Sequence, residues 1–212
     1  MYVPAHFRPA DDDVRDLLTH CGAVDLVTVT KGGLLATMLP MVFDPPGSRE
    51  DSGTYGALLG HVARKNPQWQ EPALGEAMAI VRGPDAYITP SWYATKREHG
   101  RVVPTWNYTV AHAYGRLVIH EDSVWLEANV RRLSVKHEAE RPEPWSVDDA
   151  PATYVAGQLR AIVGVEMLID RLEAKTKLSQ NRSDVDIDGV IVGLEADGER
   201  SLSAAMRTLR GQ

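Results

Sequence analysis

Three short stretches concentrate the side chains able to do chemistry, and each combines cations with amides or aromatic rings. In Gly60-His61-Val62-Ala63-Arg64-Lys65-Asn66-Pro67-Gln68-Trp69 an apolar, strand-like run enters a turn loaded with donors. A phosphate needs several convergent donors, and His61, Arg64, Lys65 and the turn amides around Asn66 can supply them. Taken alone, the same residues also read as a solvated basic turn at a helix start. The second stretch is Gly83-Pro84-Asp85-Ala86-Tyr87-Ile88-Thr89-Pro90-Ser91-Trp92-Tyr93, continued by Val103-Pro104-Thr105-Trp106-Asn107-Tyr108. Rings this dense in loop-like sequence are costly to leave in water, so they should cover a partner subunit or a planar ligand. Trp92 and Trp106, each beside a polar residue, are the better candidates for a ligand wall, and a plain core role stays open for each ring. The third stretch is Lys175-Thr176-Lys177-Leu178-Ser179-Gln180-Asn181-Arg182. Lysines alternating on a strand point to one side, and the Ser179 to Arg182 turn offers amide and guanidinium donors to an anion or a carbonyl-rich ring. An ordinary strand end followed by a helix cap explains that stretch equally well.

Sheet and helix patterns position these stretches. Asp11 to Asp13 open a short amphipathic helix carrying Val14, Leu17 and Leu18 and ending near Gly22. Ala23 to Lys31 alternates Val24, Leu26 and Thr28 against Asp25, Val27 and Val29, and Gly32-Gly33 turns the chain into a second strand, Leu34 to Val42. Asp44 to Gly53 reads as a surface loop before a strand at Tyr55 to Val62. Met78 to Ile88 reads as two short strands around a bend at Gly83-Pro84. Thr105 to His120 contains a longer strand with Val110, Tyr114 and Val118 on one face and Leu117 and Ile119 on the other. Asp122 caps a helix striped by Leu126, Val130 and Leu133, and Glu140 to Pro144 ends it. Pro151 opens another helix through Leu159 and Ile162. Val165, Met167 and Ile169 then alternate with Glu166 and Asp170 as a late strand. Ser183 with Asp186 resembles a capping box before Ile187, Val190, Ile191 and Leu194, and Ser201 begins a last helix. Six or so strands with hairpin-length connections favour a small antiparallel barrel over a βαβ sheet.

Composition narrows the class. The chain has 212 residues, 43% of them apolar and 25% charged, enough for one full domain with a packed core. Its one cysteine, Cys21, cannot form an intrachain disulfide, which suits a reducing compartment. The N-terminus lacks a basic start followed by an apolar run, and no stretch approaches the length of a membrane span, so the expected location is the cytoplasm, away from membranes. With 23 Lys+Arg against 29 Asp+Glu, the formal charge of -6 argues against direct DNA binding.

Together with the opening Met1-Tyr2-Val3-Pro4-Ala5-His6-Phe7, these stretches closely resemble, over nearly the whole chain, the PaiB-type family of FMN-binding negative transcriptional regulators. The combination of MYVPAHF, HVARKNPQW, GPDAYITPSWY, VPTWNY and KLSQNR carries the resemblance. It implies an α+β fold, a split β-barrel with flanking and C-terminal helices, helical within about 121–162 and 183–210. A single domain over 1–212 would then work as a homodimer that builds two FMN sites. In that broader class an Arg/Lys pair just after a barrel strand holds the flavin phosphate, which Arg64-Lys65 matches. The ring would lie along Ala36-Thr37-Met38-Leu39. Trp106-Asn107 and Lys177 with Gln180-Asn181-Arg182 would close the pocket from the partner subunit.

Three functions compete. A flavin-dependent sensor or regulator follows from the resemblance, acting through a protein or metabolite partner, because no helix-turn-helix is evident and Arg200, Arg207 and Arg210 read as a solvated helix face. A flavin oxidoreductase would use the same barrel and cofactor, and needs no glycine fingerprint. Haem or metal handling is disfavoured: His112 and His120 share a face of one strand but lie too far apart for a common metal, and no cysteine partners them.

Overall fold

The computed structural model describes residues 1–48 and 52–211. Residues 49–51, in the middle of the loop expected at Asp44 to Gly53, lie outside the described residues.

Among the described residues seven strands form one sheet in the order β2-β1-β5-β6-β7-β4-β3. They are β1 (Ala23–Thr30), β2 (Gly33–Pro40), β3 (Val42–Asp44), β4 (Ala57–Ala63), β5 (Ala77–Ile88), β6 (Thr105–His120) and β7 (Ile162–Lys177). The helices are α1 (Asp11–Thr19), α2 (Thr95–His99), α3 (Ser123–Glu138), α4 (Ala152–Arg160), α5 (Asp184–Ala196) and α6 (Arg200–Arg210). Every recorded register is antiparallel, from the β1–β2 hairpin to the β4–β7 ladder. The chain divides into two compact units, residues 15–81 with 112–173 and residues 1–14 with 82–111 and 174–212, and β5, β6 and β7 each run from one into the other.

The first unit is a curled sheet with helices on one face. In β1 the alternation buries Val24, Leu26, Thr28 and Thr30, as the period of two requires. The hairpin pairs Thr30 with Gly33, so its two-residue loop is Lys31-Gly32, one position earlier than the Gly32-Gly33 turn read from sequence. A Cβ on Gly60 would stand 2.9 Å from the Pro40 carbonyl oxygen, so β2 passes β4 closely and curls the sheet on itself. Leu58, Val62, Val163, Val165, Met167 and Ile169 fill one face of β4 and β7. On the other face Ala57, Leu59 and Leu168 pack under Trp125 of α3 and Val118 of β6. Asp122 caps α3, accepting from the Trp125 amide at 2.9 Å.

The second unit has its own core. Ala86 and Ile88 of β5, Tyr93, and Leu178 pack with Val190, Ile191 and Leu194 of α5 and with Leu202 and Met206 of α6.

Four expectations are corrected. Met78 to Ile88 lies within one twelve-residue strand, β5: Gly83 has no positive φ, and the fixed φ of Pro84 is compatible with extended backbone, so neither residue forces a turn. The most buried positions of β6 are Asn107, Ala111, Ala113 and Gly115, not Val110, Tyr114 and Val118. Close backbone approach selects Gly115, where a Cβ would overlap the Leu168 carbonyl. Ile162 starts β7 instead of ending α4. Ser183 stands at the N-cap of α5 but its side chain makes no capping bond, and Asp186, which the Ser183 side chain also bonds, accepts from the amide and hydroxyl of Thr95 at 3.0 and 2.8 Å.

Candidate functional site

The fifteen residues singled out for a flavin fall into two sets, one in each unit, and each set is built differently.

In the first unit β2 carries Ala36, Thr37, Met38 and Leu39. A strand alternates, so Thr37 and Leu39 turn inward while Ala36 and Met38 face solvent, Met38 with 72% of its surface exposed. Because β2 ends the sheet order, one of its edges has no hydrogen-bonded strand beside it among the described residues. The Lys65 turn is fastened to this strand. The Asn66 amide nitrogen donates to Thr37 Oγ1 at 3.0 Å, and its oxygen caps the short turn Pro67–Trp69 by accepting from the Gln68 amide at 2.9 Å. Gln68, deeply buried, donates to the Leu26 carbonyl and to Thr28 Oγ1. Sequence reasoning missed Gln68 as the pin of this corner, since only the fold shows that its side chain reaches β1.

Arg64 and Lys65 differ sharply. Arg64 donates to the carbonyls of Arg160 at 2.9 Å and Ile162 at 3.2 Å and pairs with Glu121 at 2.7 Å, while its amide bonds the Ala161 carbonyl. The guanidinium therefore closes the C-terminal end of α4, an arginine capping orphan carbonyls. Lys65 is exposed, and neither its amine nor its amide has a hydrogen-bond partner among the described residues. His61 is not brought to them. The even positions of β4 face β2, as Gly60 against Pro40 shows, so His61 points to the opposite face with Leu59. Burial pushes its imidazole below the usual histidine range, and its buried Nδ1 lacks a partner. It therefore supplies a neutral ring at neutral pH, and not the cation expected beside Arg64.

In the second unit the motif residues mostly hold one another. Asn107, with no exposed surface, bonds Ser179 at 2.9 Å, and Ser179 takes a left-handed φ of 66° to begin the turn. Gln180 folds back on its own backbone, accepting from the Leu178 amide and donating to the Thr176 carbonyl, both at 2.6 Å. Trp92 lies on α5 where Gly189 and Gly193 leave room; a Cβ at either would overlap it. Asn107, Gln180 and Trp92 are thus parts of the scaffold. The spacing of Gly189 and Gly193, one turn apart on a helix, was the available signal. Trp106 stays half-exposed with its indole donating to Asp85 at 2.7 Å, and Asn181 is exposed. Lys177 donates to Thr105 and to the Trp106 carbonyl, and Arg182 lies over the Tyr93 ring at 4.7 Å. Tyr93 is buried, which pushes its phenol above the usual tyrosine range despite Arg182.

The histidines on β6 have other roles. His120 bonds the buried Glu166 at 2.7 Å and stacks on Trp125 with ring centroids 4.0 Å apart. Among the described residues no group of three or more His, Cys, Asp or Glu side chains is arranged to hold a metal.

Residues 1–171 match the family model described as "Putative FMN-binding domain". The chain belongs to this FMN-binding family. Its cofactor is accordingly FMN. The chain is 32% identical to the Bacillus subtilis protein named protease synthase and sporulation protein PAI 2, over 92% of this chain and 89% of that one. An uncharacterized protein of Emericella nidulans is 38% identical over 74% of this chain and 73% of its own. Among solved structures, a conserved hypothetical protein of Mycobacterium tuberculosis superposes with a TM-score of 0.55 at 12% identity, covering 83% of this chain and 90% of that one. The FAD and heme binding protein of Mycobacterium smegmatis gives 0.54 at 14% identity, covering 84% and 77%. At such identities these two speak for the fold alone, and the fold is the split β-barrel of flavin-binding proteins. Among the described residues no helix of this FMN-binding protein is long and apolar enough to cross a membrane.

Proposed function

We propose that this FMN-binding protein is a flavin-dependent regulator of the PaiB type, working as a homodimer, with the isoalloxazine along the open edge of β2 and the phosphate at the Lys65 corner. The hydrogen bond from Asn66 to Thr37 carries this reading, because it sets the turn with an unengaged ammonium and amide beside the strand edge. Arg64 supports the corner by tying it to α4 and leaves the phosphate to Lys65. FMN would bring the redox-active ring; the chain's own part is to position it and to neutralise its phosphate.

Leu34 and Met38, 73% and 72% exposed on one face of this strand with the exposed Ala36 between them, favour a second copy covering it. Sedimentation at micromolar concentration should show a dimer, and a monomer would remove that part of the proposal. Direct DNA contact is disfavoured by the arginines of α6: Arg207 pairs with Glu195 and Arg210 with Asp188, both carboxylates of α5. Nanomolar, sequence-selective DNA binding by the protein alone would overturn regulation through another partner.

Titration with FMN and with riboflavin tests the corner. FMN should bind the parent at least tenfold more tightly than riboflavin, since a hydrogen bond involving a charged group is worth about 1.5–3 kcal/mol. Lys65→Ala should erase that preference while the fold, followed by circular dichroism, survives. Equal affinity for both flavins in the parent would place the phosphate elsewhere. Steady consumption of reduced nicotinamide by the FMN-loaded protein would favour an oxidoreductase over a regulator.

A further inference from the structure

The second unit holds a group of cations that the flavin corner does not use. Lys175 and Lys177 stand two apart on β7 and therefore on one face, and Arg182 follows after the turn. All three are half-buried, and among the described residues none forms an ion pair with a carboxylate. Elsewhere partly buried arginines are paired: Arg64 with Glu121, Arg131 with Glu127 and Asp148, and Arg132 with Asp44. Burial and then the charges of Lys175 and Arg182 hold the Lys177 amine below the usual lysine range, so Lys177 senses both other cations. Clustered like charges taken partly out of water cost free energy unless a counter-charge joins them.

The nearby carboxylates are engaged elsewhere: the charge of Arg182 reaches Asp186 only as the weakest of the influences on that carboxyl, and no carboxylate forms an ion pair with Lys175 or Lys177 among the described residues. Asp186 is held by the amide and hydroxyl of Thr95, and Asp85 by the Trp106 indole. Rings surround the cations: Lys175 Nζ lies 5.6 Å from the centre of Tyr108, and Trp106 is half-exposed. Such a surface offers a dianion three positive charges and a flat ring an aromatic face.

We propose that Lys175, Lys177 and Arg182 form a second anion site that takes the phosphate of an aromatic nucleotide other than the flavin, with Trp106 and Tyr108 against its base. The site goes beyond the FMN reading and stands whether or not Lys65 holds the flavin phosphate.

Calorimetry on the full chain saturated with FMN tests it, with AMP as probe and adenosine and inorganic phosphate as controls. AMP should bind, adenosine at least tenfold more weakly, and AMP affinity should fall as salt rises. Inorganic phosphate should compete, a readout that needs no variant. The double variant Lys175→Met/Lys177→Met keeps both aliphatic stems and removes no ion pair; it should lose AMP about a hundredfold and hold FMN as the parent does. If AMP fails to bind, if it binds the double variant equally well, or if FMN displaces it, the proposal fails. Loss of FMN by the double variant would instead assign these cations to the flavin. Retention of FMN by Lys65→Ala would defeat the flavin corner and leave this site standing.

Discussion

Two basic turns that look alike in sequence are used in opposite ways. After β4, Arg64 is consumed by the protein itself, bonded to two carbonyls near the end of α4 and to Glu121. At the end of β7 and in the turn beyond it, Lys177 feels the like charges of Lys175 and Arg182, and among the described residues none of the three forms an ion pair with a carboxylate. A cation paired inside its own fold stabilises that fold. A cation left half-buried and unpaired is a cost to the fold, and a reason to look for a ligand.

Four measurements can break or sharpen this contrast. The largest effect is expected beneath the second turn, where Gly193→Val would drive a side chain into the Trp92 indole. Overpacking of this kind costs about 3 kcal/mol, read as a lower urea midpoint; a midpoint unchanged from the parent would mean that Trp92 is free to move. Next is Arg64→Ala, which should cost about 2 kcal/mol in the same titration, while Lys177→Met changes stability by less than about 0.5 kcal/mol in either direction. Equal losses from these two variants would erase the distinction between the turns.

Third is the flavin itself. Lys65→Ala should weaken FMN about tenfold, or about 1.4 kcal/mol, with no loss of stability, whereas Arg64→Ala should lower stability first and FMN affinity only through the displaced turn. The smallest effect concerns His61. Burial lowers its folded-state pKa below 6.5, so the unfolded chain takes up the proton first. Stability present above pH 6.5 should therefore decline as pH falls below it, and His61→Gln should flatten that decline. A parent and variant with parallel pH dependences between 7.5 and 5.5 would show that His61 titrates normally.

Part of this was legible in the residues and part was not. Alternation of apolar and polar positions set β1 and marked where β6 runs, though not which of its positions are buried, and Asp122 marked the start of α3, because these patterns depend on local geometry. Likewise, the combined motifs carry the resemblance to a flavin-binding split barrel. The sequence also placed Arg64 beside Lys65, and Asn107 among polar and aromatic neighbours, without distinguishing their roles. That distinction depends on partners far along the chain: Glu121 and the carbonyls of Arg160 and Ile162 for Arg64, Ser179 for Asn107, and the alternation of β4 for His61. By itself the sequence determined most of the longer elements and which cofactor the family takes. Only the tertiary structure decided which cations are already neutralised, because neutralisation is a matter of distance between charges, and distance between residues a hundred positions apart is set by packing.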